Sequence, residues 1–179
     1  MTTYDPHYPD GLGELGFAVL DAGHVPGPPA PPFKIGTGYP LALCVNGDLA
    51  AVSFAVLDAY PDIAMGWWCF LESYQRTNGL WGYTAAPHDN TTSETPFARP
   101  TGGIEWVSFG GVSGWDDEPK QRHSYFGIAG TDIARLAIGT CEVPITPWCG
   151  AWVVIAPGDA STLTAYDAAG VVVDEIAYD

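Results

Sequence analysis

The chain is short of positive charge. Six Lys and Arg stand against 21 Asp and Glu in 179 residues, a formal net charge of −15. Lys34 and Lys120 are the only lysines. A field of that sign repels phosphate backbones, and nucleic-acid binding depends on Lys and Arg displacing counterions, so that class is excluded. Long hydrophobic runs are missing too. None approaches the roughly 20 residues that a membrane helix needs, so no membrane partner is expected. Met1-Thr2-Thr3-Tyr4-Asp5 has neither the basic nor the apolar region of a signal peptide, and the expected location is cytoplasmic.

Several chemical signatures are absent as well. His7, His24, His88 and His123 are widely spaced, and no C-x-x-C or H-E-x-x-H occurs, so no metal site is expected. Asp116-Asp117-Glu118 lacks the spacing of a calcium loop and reads as a solvated acidic segment. There is no G-x-S-x-G elbow and no glycine-rich phosphate loop ahead of a helix. No catalytic residue and no cofactor is therefore expected. In a reducing compartment Cys44, Cys69, Cys141 and Cys149 are buried thiols, although an oxidising one would let Cys141 and Cys149 pair.

What is present is a core. The chain is 47% hydrophobic with seven Trp, enough for one folded domain despite its charge. Gly and Pro divide it into short pieces, which favours strands and turns. Residues 1–38 read as a Pro/Gly-rich extension. Within them Val25-Pro26-Gly27-Pro28-Pro29-Ala30-Pro31-Pro32 forms a strap, because proline removes backbone donors.

Residues 39–179 read as a single β domain. Asn46-Gly47 and Asn78-Gly79 sit between apolar runs and mark two hairpins. Val52, Phe54 and Val56 alternate as in a strand, with a short Ala-rich helix over Leu49 to Ala59 as the alternative. Trp67 and Trp68 must point to opposite faces of their strand, and the strap is expected to cover one of them. Residues 84–103 read as a polar loop, Ile104 to Phe109 as a strand and Gly110 to Gln121 as a second loop. Ser124 to Ile128, Ala134 to Ile138, Ala151 to Ile155, Ser161 to Tyr166 and Val171 to Ile176 are short runs at antiparallel spacings. The fold class is an all-β antiparallel sandwich of about seven to nine strands.

Leu163-Thr164-Ala165-Tyr166-Asp167-Ala168-Ala169-Gly170-Val171-Val172 resembles the closing hairpin of bacterial immunoglobulin-like and fibronectin-III-like sandwiches. Tyr125 to Ala129 with Asp132 to Leu136 is similar to proteins of high-GC actinobacteria that carry such a domain. The resemblance spans roughly residues 124–177 and implies an immunoglobulin-like sandwich.

For function, the acidic charge points to a non-enzymatic binding protein with a cationic protein partner, an inhibitor or immunity protein being the sharpest form. Trp115, Asp116, Asp117 and Glu118 are the expected contact loop, with Asp89 and Glu94 beside it. A carbohydrate-binding or envelope-associated module using exposed Trp is one alternative, and a small hydrolase centred on His88 is another. Glu72 and Glu105 could also face each other as a glycosidase pair. Abundant Asp with scarce Lys also fits adaptation to high salt, in which case the charge carries no partner information.

Overall fold

The computed structural model describes residues 11–59, 66–84, 88–92, 96–111, 122–157 and 162–177, which hold one helix and twelve strands. The helix was not expected, because its segment was read as part of the extension. Helix α1, Leu12–Ala22, exists because Leu12, Gly16, Val19 and Leu20 recur every three or four residues and bury one side. Gly23 ends it at φ 72, and its N–H bonds back to the Val19 and Leu20 carbonyls at 2.9 and 3.3 Å.

Three antiparallel sheets follow. Sheet A contains β1 (Gly38–Asn46), β2 (Leu49–Leu57), β3 (Trp67–Thr77), β4 (Leu80–Tyr83) and β5 (His88–Thr92). Its order is β1-β2-β3-β4, and β5 pairs with the first half of β3. Both expected hairpins form. Gly47 turns the first at φ 63; Asn78 and Gly79, at φ 53 and 82, turn the second, where two consecutive positive φ values are the mark of a type I′ turn. Leu49–Leu57 is strand, and the helical alternative falls because both faces of β2 are covered.

Sheet B has the order β10-β7-β6, from β6 (Ile104–Gly111), β7 (Arg122–Ala129) and β10 (Ala151–Pro157). Sheet C has the order β12-β11-β8-β9, from β8 (Arg135–Ile138), β9 (Cys141–Val143), β11 (Thr162–Tyr166) and β12 (Val172–Ala177). The expected polar loop 84–103 is corrected by β5, whose polar residues pair through their backbones along Trp67 to Leu71. With β5 and the three-residue β9 included, the strands exceed the seven to nine expected.

The sheets pack face to face, so the fold is an all-β antiparallel sandwich with the helix on one outer face. Sheet B lies between the other two. Ala151, Val153 and Ile155 of β10 meet Leu41, Ala51 and Leu71 of sheet A. Trp152, Val154 and Ala156 meet Leu136, Ile138 and Leu163 of sheet C. On the far side of sheet A, Leu12, Val19 and Leu20 of α1 close over Val52, Phe54 and Phe70. Trp67 and Trp68 do point to opposite faces and both are buried: Trp67 towards sheet B, Trp68 in the cluster that α1 closes. The cover over Trp68 includes the helix rather than the strap alone.

The strap runs from Val25 through the cis Pro31–Pro32 bond to Phe33. The Phe33 ring enters an aromatic cluster with Tyr39, Trp67 and Phe97, at centroid distances of 4.8 to 5.8 Å, and Trp148 joins through Phe97 at 6.3 Å. Edge-to-face contacts of this kind add to simple burial.

Candidate functional site

The expected contact loop, Trp115, Asp116, Asp117 and Glu118, and its neighbour Glu94 lie outside the described residues. Asp89 falls in β5 opposite Phe70, and His88 opposite Leu71. Glu72 is fully buried on the α1 side of sheet A, whereas Glu105 belongs to β6 of sheet B, which packs on the opposite side. Among the described residues no three His, Cys, Asp or Glu side chains gather to hold a metal.

The four thiols are free, and the Cys141–Cys149 bridge is not formed. Cys141 opens β9 of sheet C, while Cys149 is buried between sheets A and B. Burial pushes the Cys149 thiol up to about 11, and Cys69 is raised further by burial and by Cys149 beside it. Such thiols are inert rather than nucleophilic.

Three features stand out. The first is an enclosed carboxylate. The Tyr74 hydroxyl donates a short hydrogen bond to Glu72 Oε2. Gly16 of α1 lies directly over this pair, and a Cβ there would overlap the Tyr74 hydroxyl. The Tyr83 ring meets Tyr74 edge-on at 6.1 Å and is 42% exposed, so the cluster reaches the surface. Burial first, then the Glu72 charge, holds both phenols well above the usual tyrosine value. The arrangement stores a carboxylate rather than aiming it at open space.

The second is a cleft of about 450 Å³ at the end of α1. Its lining comes from residues 23–27, from Ala42 and Leu43 of β1, and from 144–148. Most of the lining is apolar. Thr146 Oγ1 donates to the Leu41 carbonyl at 2.8 Å, which ties the 144–148 segment to β1. His24 Nδ1 bonds the Ala22 carbonyl at 2.9 Å. Trp148 supplies the aromatic wall. No sequence pattern signalled this cleft, because three distant segments build it.

The third is the distribution of charge. Arg76 lies over the Trp81 ring at 4.3 Å and Arg135 over the Tyr166 ring at 3.7 Å. Arg99 donates to the carbonyls of Ala129, Gly130 and Ile133 and so fixes the turn after β7. Some carboxylates build turns: Asp58 accepts the Gly66 N–H at 2.5 Å and Asp167 the Ala169 and Val171 N–H groups at 2.8 Å. Others, Glu14, Asp21, Asp48, Glu142 and Glu175, are exposed to water.

The tryptophans divide the same way. Trp67, Trp68 and Trp152 are core, Trp81 lies under Arg76, and Trp148 lines the cleft. Compared with models of protein families, with curated proteins and with solved structures, the chain matches none.

Proposed function

We propose that this chain is a non-enzymatic acidic binding protein whose partner is a cationic protein, an inhibitor or immunity protein for a basic toxin or nuclease being the sharpest form. One observation carries the reading: a net charge of −15. The placement of the guanidinium groups supports it, since Arg76, Arg99 and Arg135 contact rings and carbonyls while carboxylates stand in water.

The mechanism is steering followed by docking. Long-range attraction raises the encounter rate with a cationic surface, and aromatic anchors then hold it. Trp115, Asp116, Asp117 and Glu118 form the contact loop in this reading, with Asp89 and Glu94 flanking it. Trp67, Trp68 and Trp152 are core residues with no face for a sugar ring, and the carbohydrate reading takes second place.

The test is capture of proteins from the source lysate at low and high salt. A basic protein held at low salt, released at high salt and lost on Asp116→Lys/Asp117→Lys is the expected result. An interaction indifferent to salt and to both substitutions would end this reading.

A further inference from the structure

We infer that the cleft at the end of α1 receives an arginine side chain of the cationic partner, an inference that rests on the reading just proposed. The walls suit the stem of that side chain: Val25, Leu43 and Pro144 are apolar, and the methylenes of arginine bury well along such surfaces. Trp148 provides a ring for the guanidinium, and Trp is the strongest of the aromatic partners for a cation.

The cleft opens at the C-terminus of α1, where the helix dipole concentrates partial negative charge. The last turn of α1 carries no basic residue, and Asp21 is exposed there. The chain's overall charge of −15 adds to this.

Arginine is favoured over lysine because its planar guanidinium is weakly hydrated and stacks on rings, whereas an ammonium gives up more hydration on entry. The chain makes this pairing twice within itself, Arg76 on Trp81 at 4.3 Å and Arg135 on Tyr166 at 3.7 Å.

The probe is the peptide acetyl-Gly-Arg-Gly-amide, titrated into the full chain and followed by the Trp148 indole and His24 ring resonances. Acetyl-Gly-citrulline-Gly-amide is the neutral isostere. Saturable shifts with the arginine peptide are expected, about tenfold weaker with citrulline and about tenfold weaker in Trp148→Ala. Because that variant leaves a gap against Phe97, Val25→Phe serves as a second one that fills the cleft and keeps the Trp148 ring. It should weaken binding as much, read at His24.

Equal shifts with both peptides, or native affinity in both variants, would overturn the assignment. Salt-dependent capture of a basic protein alongside a failed titration would remove the cleft from the account and leave the acidic reading standing. A successful titration with no captured protein would instead remove the protein partner on which the assignment depends.

Discussion

On the side of sheet A that meets sheet B, β3 presents Trp67, Cys69 and Leu71; one residue along, on the other side, it presents Trp68, Phe70, Glu72 and Tyr74. Two sheets meet on the first side, where small or aliphatic side chains from β1, β2 and β10 interleave with Phe126 of β7. Its polar contacts are modest and include the Ser73 and Ser124 hydroxyls at 3.3 Å and Asn46 Nδ2 donating to the Ile155 carbonyl at 3.2 Å. On the second side a helix lies across a sheet, and two glycines, Gly16 of α1 against Tyr74 and Gly38 of β1 against Leu12, set how close it can come. That side encloses an ionisable cluster. A sheet covered by a sheet is sealed by many equivalent contacts, while a sheet covered by one helix depends on a few particular ones.

Perturbing each side should expose that difference. Phe70→Ala, under the helix, should lower stability by about 3–5 kcal/mol in urea unfolding, because the ring is fully buried. A smaller loss would show that α1 resettles over the gap. Next come two glycines of one helix. Gly16→Ala should cost about 1–3 kcal/mol, since the added methyl collides with Tyr74. Gly13→Ala should gain about 0.5–1 kcal/mol, since a Cβ there meets nothing within 4 Å. If the two variants behave alike, the close approach of helix and sheet is wrong.

The ionisable cluster makes a pH prediction. Tyr74 and Tyr83 hold their protons more tightly folded than unfolded, because burial and the Glu72 charge oppose phenolate. Their contribution is complete below the ordinary tyrosine value of 10.0 and is lost as pH rises beyond it. Thermal unfolding should therefore fall in temperature above about pH 10, and Tyr74→Phe should flatten that fall. The smallest effect is one of order. A thiol reagent should modify half-exposed Cys44 and Cys141 before Cys69 and Cys149, which lie between sheets A and B. Early reaction of Cys149 would mean that the seam between sheets A and B opens readily.

The two sides were not equally legible beforehand. Alternation in Val52 to Val56 and the Asn-Gly pairs announced the hairpins, because strand period and turn chemistry are local. The last five runs were legible for the same reason. Helix α1 was hidden by Gly13 and Gly16, which weaken helical propensity, and by an N-terminal residue, Gly11, that offers no capping side chain. The spacing of Leu12, Val19 and Leu20 was the signal available. Strand β5 was hidden because His88 to Thr92 are polar and held by backbone pairing to β3. The expected contact loop lies outside the described residues, so its acids remain part of the proposal. The cleft had no local signature, since residues 23–27, 42–43 and 144–148 meet only in the fold.

Strand β10 has a consequence for synthesis. It sits at the junction of all three sheets, yet Ala151 to Pro157 come late in the chain. A ribosome that has made residues 1–150 has delivered all of sheet A, but only Phe126 of β7, Cys149 and the flanking aromatics Phe33, Phe97 and Trp148 to lay against Leu41, Ala51 and Leu71. The nascent chain must hold that surface partly uncovered until β10 emerges, and a truncation before Ala151 should sediment as aggregate.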